Sequence, residues 1–514
     1  MKIPQIISRN VIEAYRCSNE TKLLPIEINR SIQSDNENWD ENIVPELRKI
    51  SLNILAENWI INPVLDELEN SADRDELLEL LSTNIPLDII IKKIPDECYW
   101  SRAAKARWQY NNPGEHGNSW RRLYCERHLA EFIEKMDNDD YHKNECDKLI
   151  DLVAPYIKIL NIRSLIPFIY PVKVFHQDDD DINLTPELMT VHHVQFENIL
   201  IKLPELCEIH INFGVIYMND GFEWRDFEFS VEDCLSLGKG IKNSLKLVKI
   251  TITRSNLDQP RVAALLHGVV VNNHIQVLDL SHCKLGDTGA HAIGEFLRIH
   301  KRIKELHLVN NGIGPNGLAG IVHGLLQDSS APLKYLNLRL NPLRDEGGVH
   351  ICALLLRISS LEKLNVSGCC FNTETGLGLA EVLSSGFMKI LYLSLNLSNN
   401  DLGHIAGEAF NIAIKNCKKI VELDMRMCNF KKESEFLISK NITRNKEEMS
   451  RKKGRSEYER RRSSAFIPLR AKSLLPPAGF EDVQKPQQPT IGVHFLNDNL
   501  NVHFDDDNSS TITF

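Results

Sequence analysis

No stretch of the 514-residue sequence approaches eighteen consecutive apolar residues; LDIIIKKI from Leu87, among the most apolar, is interrupted by two lysines. A membrane-spanning helix is therefore not expected. The opening residues MKIPQIISRN lack the apolar stretch and small-residue cleavage site of a secretory signal, so the twelve cysteines are expected as thiols in a reducing compartment. No CxxC pair and no HxxxH partner occurs, and a structural zinc site has no support. GxxxxGK(S/T), GxSxG and HExxH are also missing, which removes the usual phosphate cradle, nucleophile elbow and zincin helix. Excess positive charge is missing too: 60 Lys and Arg stand against 70 Asp and Glu, for a net charge of -10. Non-specific binding to nucleic acid or to an anionic membrane is not expected.

What the sequence does contain is a repeat. LVKITITRSNL from Leu247 is followed by IQVLDLSHCKL, IKELHLVNNGI, LKYLNLRLNPL, LEKLNVSGCCF, YLSLNLSNNDL and IVELDMRMCNF, each fitting LxxLxLxxN/CxL. The second apolar position falls at Ile250, Leu278, Leu306, Leu336, Leu364, Leu395 and Leu423, in steps of 28, 28, 30, 28, 31 and 28 residues. The LxL alternation predicts a short strand with both leucines on one face. Ser255, Cys283, Asn311, Asn341, Cys369, Asn400 and Cys428 take the following turn, where a small polar side chain bonds backbone groups left over by the bend. Between the strands, stretches such as DTGAHAIGEFLRIH from Asp287 carry helical apolar spacing. One unit cannot bury both its strand leucines and its helix stripe, so stacking is required. The expected fold is an α/β solenoid, a horseshoe with a parallel inner sheet and outer helices. It resembles the ribonuclease-inhibitor type of leucine-rich repeat. Two degenerate copies lead in, LCEIHINFGVI from Leu206 and IKILNIRSL from Ile157, and SVEDCLSLGKGI within a long insertion supplies a further repeat helix.

Side chains between the leucines point into the concave face in three columns. The first holds Lys249, Val277, Glu305, Tyr335, Lys363, Ser394 and Glu422; the second Thr251, Asp279, His307, Asn337, Asn365, Asn396 and Asp424; the third Thr253, Ser281, Val309, Arg339, Ser367, Ser398 and Arg426. They are mixed in sign, with no basic stripe and no interleaved aromatics, so protein is the expected partner rather than nucleic acid. Candidate binding residues are Tyr335, Arg339, His307, Glu305, Asp279, Asn337, Lys363, Asn365 and Arg426. Tyr335 and Arg339 are the types enriched at interface hot spots, against the alternative of an ordinary solvated face. No catalytic, cofactor or metal residues are expected. His192–His193 reads as a packed or surface pair, and Asp279, His307 and Asp424 lie on separate repeats.

Residues 1–150 read as a helical capping domain, 151–432 as the repeat domain, and 433–514 as a disordered tail. Trp100, Trp108 and Trp120 are expected to pack between the cap and the first repeats. The tail is a charge diblock: twelve Lys or Arg against four Glu from Lys440 to Lys472, then six acids against one lysine from Ser473 onward. RKKGRSEYERRRSS suits a helical basic arm for an acidic surface, a nuclear signal or a solvated tail. Ser463 and Ser464 each follow an arginine pair and are candidate phosphorylation sites.

LDIIIKKIPDECYWSRAAKARW and WRRLYCERHLAEFIE, followed by repeats from Leu206 to Phe430, complete a pattern. It resembles the t-complex-associated testis-expressed protein 1 family, also called dynein regulatory complex subunit 5, over about Val44 to Phe430. The resemblance implies a non-enzymatic scaffold subunit, without a cofactor, of the nexin-dynein regulatory complex in motile cilia and flagella. It implies other complex subunits as partners, with inner dynein arms and doublet microtubules nearby. The implied address is the axoneme, within the cytoplasm and cytoskeleton, and the implied role is regulation of flagellar beating, notably in sperm. An F-box-like substrate receptor of a ubiquitin ligase is the alternative, although Cys98-Tyr99-Trp100 does not reproduce the close of an F-box. A Ran-type GTPase activator shares the repeat class.

Overall fold

The computed structural model describes residues 46–136, 140–165, 193–214, 229–327 and 332–465, together with Asn10, Glu13 and Arg16. The chain divides into two compact units, Met1–Lys452 and Lys453–Phe514.

Among the described residues six α-helices precede the repeats: α1 (Leu47–Glu57), α2 (Ser71–Leu80), α3 (Leu87–Lys93), α4 (Glu97–Arg107), α5 (Trp120–Glu134) and α6 (Asp140–Val153). Side chains that accept from the first free N–H groups start several of them, Asn70 for α2, Asp96 for α4 and Ser119 for α5. The core between them holds Trp59, Leu77, Ile90, Tyr99, Trp100 and Leu123. Trp100 donates through Nε1 to the Ile94 carbonyl at 2.9 Å, and its ring lies 5.4 Å from that of Tyr124. Trp108 also packs against Tyr124, at 5.3 Å. These tryptophans thus hold α4 to α5 inside the helical region, and the join to the repeats runs through α5.

A nine-stranded parallel sheet follows in strict chain order. Its strands are β1 (Ile159–Ile162), β2 (Glu208–Ile211), β3 (Lys249–Ile252), β4 (Val277–Asp279), β5 (Glu305–His307), β6 (Tyr335–Asn337), β7 (Lys363–Asn365), β8 (Leu393–Asn396) and β9 (Ile420–Asp424). Both degenerate leading copies are strands in register, with Leu160 beside Ile209 and Ile209 beside Ile250. The crossings are α7 (Phe196–Leu200), α8 (Val231–Asn243), α9 (Gln259–Val269), α10 (Gly286–Ile299), α11 (Pro315–Leu326), α12 (Arg344–Arg357), α13 (Thr373–Ser384) and α14 (Gly403–Asn416). Helices pack about 8–10 Å apart and strands about 4.8 Å apart, so the stack curves with the sheet inside. Close approach of helices is made by glycine where it occurs. An added Cβ at Gly268 in α9 would stand 2.1 Å from the Gly238 carbonyl oxygen of α8.

The turn residues form a ladder. Asn341 donates to the carbonyls of Leu308 and Leu338, both at 2.8 Å, and its Oδ1 accepts from the N–H groups of Asn311 and Ile313. Asn400 does the same two repeats on, bonding Val366, Leu397, Cys369 and Phe371. Where cysteine replaces asparagine the thiol still reaches back, Cys369 Sγ to the Leu338 carbonyl at 3.3 Å and Cys428 Sγ to that of Leu397 at 3.2 Å. Burial pushes the Cys283 and Cys369 thiols up to about 12, so they remain protonated donors. The residue just before each ladder position has a left-handed backbone, and at Asn310 and Asn399 asparagine supplies the type that tolerates it.

The expected boundaries shift in two places. Helix α6 crosses residue 150, and the helical region joins the repeats within one compact unit. A structureless tail from 433 was expected, but Lys432–Ala465 is one helix, α15. Its first half takes the place of a further repeat helix. Ile438 is buried, and Asn445 donates to the Cys417 and Ile420 carbonyls at 2.9 and 3.1 Å. Asn272, between α9 and β4, bonds Ile241 and Ser244 in the same way. The acidic run 178–181, His192 and residues 466–514 lie outside the described residues.

Candidate protein-docking face

The LxL strands bury the middle leucine and leave the flanking residues half-exposed on the sheet face, as at Val277–Leu278–Asp279 and Tyr335–Leu336–Asn337. Register then fixes who meets whom. Glu305, Tyr335 and Lys363 are direct cross-strand neighbours, as are Asp279, His307, Asn337 and Asn365. Arg339 follows β6 and is exposed. Eight of the nine candidates thus form one patch across β4–β7. The ninth, Arg426, stands beyond β9, where it is turned onto Asp424 at 2.6 Å.

Tyr335 is the centre of the patch. The His307 ring meets it edge-on at 4.8 Å, and the Lys363 ammonium lies over its face at 5.9 Å. His307 also stands 3.6 Å from the Glu305 carboxylate. The phenol is therefore held between an imidazole and a cation, in a fixed pose that costs little further entropy on binding. The face also reaches farther back than the candidate columns. Glu208 and His210 of β2 extend it, with Lys249 at 3.3 Å from Glu208 and His210 at 3.4 Å. Burial, then the Lys249 charge, holds His210 below the usual histidine range. Irregular spacing of the first two repeats hid these residues; the IHI pattern at Ile209 was the available signal.

A cavity of about 710 Å³ closes this end of the face, between β1–β3 and α5. Here the chain solves the problem of an open sheet edge. Inside the sheet, the N–H groups of Cys207 and Glu208 share the Lys158 carbonyl, and those of Val248 and Lys249 share the Cys207 carbonyl. Among the described residues no strand pairs with the outer edge of β1, and the N–H groups of Lys158 and Ile159 share the Glu126 carboxylate of α5, each at 2.9 Å. Glu134, two turns on, accepts from Arg163 N–H at 2.6 Å, as Ile162 accepts from Asn212. Two carboxylates on one helix face thus stand in for the carbonyls of a missing strand. Arg122, at 2.7 Å, and His116 complete the bonds to buried Glu126.

The remaining sequence candidates are structural. His193 is buried and bonds Asp233 twice, through its N–H and through Nδ1, both at 2.9 Å. Burial alone would raise the Asp233 carboxyl, but the hydrogen bonds from His193 and Ser230 hold it below the usual range. Asp279 and His307 are neighbours, whereas Asp424 lies four strands beyond His307 and is lowered by the hydrogen bond from Arg426. No GxGxxG is expected after a strand from the sequence reading of phosphate cradles, yet Gly312 to Gly317 forms that string between β5 and α11. It is no phosphate cradle: the Asp287 carboxylate already accepts the Gly314 N–H at 2.6 Å, and Asn341 takes that of Ile313. Among the described residues no group of three or more His, Cys, Asp or Glu is placed to hold a metal ion, and no helix is long and apolar enough to cross a membrane. Ser463 and Ser464 fall within α15.

A family model described as Leucine Rich repeat matches residues 271–294, 303–322 and 329–352. The strand, the Asn or Cys ladder and the helix recur at that spacing on both sides of the matched segment. The repeats are leucine-rich repeats. A leucine-rich-repeat solenoid of ribonuclease-inhibitor type fits a 28% identity over 162 residues with Ribonuclease inhibitor of Sus scrofa, covering 31% of this chain and 34% of that one. The chain is also 30% identical over 278 residues to Dynein regulatory complex subunit 5 of Mus musculus, covering 53% of this chain and 55% of the relative. For the protein of the same name from Chlamydomonas reinhardtii the identity is 24% over 221 residues, covering 43% and 50%. The chain therefore spans about half the length of the curated relatives it matches.

Proposed function

We propose that the protein is a scaffold subunit of a dynein regulatory complex in the axoneme of motile cilia and flagella, docking other subunits of that complex through the concave patch centred on Tyr335. The similarity to relatives named Dynein regulatory complex subunit 5, in both an animal and an alga, carries this reading. The patch supports it: polar, mixed in charge, with one pre-positioned aromatic and a neighbouring arginine, it has the make-up of a protein–protein interface. Doublet microtubules and inner dynein arms are further proposed neighbours. The basic half of α15 and its continuation supply charge for an acidic filament surface, and phosphate on Ser463 and Ser464 would reduce that charge.

The test joins location to company. The tagged protein is expressed in a ciliated or sperm-forming cell, and axonemes are extracted with detergent and then salt. Retention on doublet microtubules together with other regulatory-complex subunits is the expected result. Release with the detergent-soluble fraction, free of those subunits, would overturn the proposal.

A further inference from the structure

The outer, helical side of the repeats carries a trough that the concave-face reading does not use. It runs between α12 and α13 and out onto the turns that carry Gly368, Cys370, Asn399 and Asp401. Two cavities of about 730 and 520 Å³ share Asp345, Val349 and Glu374 and so form one depression. Its origin is local. At its tight end an added Cβ on Gly348 would stand 2.2 Å from Thr375 Oγ1, so the helices touch. One turn on, Gly378 meets only the Cys352 sulfur, 3.5 Å from where a Cβ would sit, and no large side chain fills the gap. Helices α10 and α11, in contrast, stay closed, with an added Cβ on Gly324 2.1 Å from the Gly294 carbonyl oxygen.

Cys352, Leu356 and Val382 line the trough, and Val349 and Phe387 stand in it 65% and 78% exposed. Its rim is acidic. Asp345 spends its carboxylate on Asn372 and Thr375. Glu346, Glu374 and Glu381 are exposed and enter none of the ion pairs or side-chain hydrogen bonds among the described residues. Arg344 is the single base in the lining. Where α12 and α13 wall the trough, their interior N–H and C=O groups are already bonded, and on the turn side the N–H groups of Gly368, Phe371, Asn372 and Asn399 are taken by Ser398, Asn400, Asp345 and Arg426, so neither offers a ladder to an extended strand. An occupant must satisfy its own backbone, bury an apolar stripe and bring positive charge.

We propose that this trough docks an amphipathic helical segment of a partner protein, apolar on one face and edged by lysine or arginine. The occupant is protein rather than an anionic membrane, which the unpaired carboxylates would repel. The site is separate from the concave patch and does not rest on the axonemal reading.

The test uses the full chain and a fluorescent peptide of leucine and lysine, about 18 residues long with helical apolar spacing. A leucine–glutamate peptide of the same pattern is the control. The lysine peptide is expected to bind, and the combined change Glu346→Lys, Glu374→Lys and Glu381→Lys to weaken it by roughly tenfold or more while favouring the glutamate peptide. Val349→Asp is expected to weaken it as well, with circular dichroism confirming an unchanged fold. Tyr335→Ala with Arg339→Ala is expected to leave it unaltered. Absence of binding to the unmodified chain would overturn the proposal, as would binding that ignores the charge reversal. Self-association abolished by the same changes would assign the trough to a second copy and overturn it equally.

Discussion

The Glu126 carboxylate accepts the backbone N–H of Ile159 at 2.9 Å, and through that bond a helix does the work of the strand that the sheet lacks. The same oxygen takes Lys158 N–H and Arg122 Nε, and the group is 2% exposed. Replacing Glu126 with alanine leaves two edge N–H groups, His116 and Arg122 without their acceptor in a water-poor site. We expect Glu126→Ala to cost about 3 kcal/mol, within the range for breaking a buried charged network. Glu126→Gln, which keeps one carbonyl oxygen, is expected to cost less. Urea unfolding of the three proteins measures both; equal midpoints would remove the capping role.

Asn341 and Cys369 occupy equivalent turns but bond the backbone to different extents. Asn341→Ala strands two carbonyls and two N–H groups in a fully buried site. At about 1–3 kcal/mol for each unsatisfied group, with some relief from relaxation, a loss of about 3 kcal/mol is expected. Cys369→Ala removes one weak thiol bond and is expected to cost about 1 kcal/mol. The order of the two midpoints in chemical unfolding checks the ladder.

Tyr335→Ala with Arg339→Ala changes half-exposed and exposed side chains and opens no core cavity. The melting temperature is expected to stay within a few degrees of the unmodified protein. Co-purification with other complex subunits is expected to fall at least tenfold, as for paired hot-spot truncations. Undiminished co-purification would move the docking surface elsewhere.

His128 sits on α5 between Arg107 and Glu131, stacked on Tyr124 at 5.9 Å. Burial, then the Arg107 charge, takes its pKa down to about 4. Below about pH 6.5 the unfolded chain binds a proton here that the folded chain does not. Stability is therefore lost as pH falls from about 6.5 towards 4, by roughly 2 kcal/mol after allowance for partial solvent access. Denaturant unfolding at pH 7, 6 and 5 should show that slope, and His128→Gln should flatten it.

Phosphate on Ser463 and Ser464 is expected in the protein taken from its native cell. Mass spectrometry of that material showing both serines unmodified would remove the proposed charge switch at the end of α15.

The repeat was legible because its signal is periodic and local. Leucines two apart on a strand and a small polar residue three positions beyond the second leucine recur at nearly constant steps, and each repeat needs only its neighbours to bury them. Eight of nine candidate residues came together for the same reason, since register in a parallel stack follows the repeat phase. Arg426 did not, because it follows β9, two strands beyond the patch, and there it pairs with Asp424. Helix α15 was obscured by its polar composition; only contacts such as Ile438 and Asn445 against the last repeat give it a place. A helical cap was legible, but the contacts that close the sheet edge, and the trough, were not. Glu126 and Glu134 look like ordinary surface acids until α5 is laid along β1, and Gly378 opens a groove only once Cys352 is seen opposite it. Sequence by itself determined the unit and its stacking, because those rest on hydrophobic period; tertiary structure alone decided how the stack is closed and where it is left open, because those depend on contacts between segments with no common period.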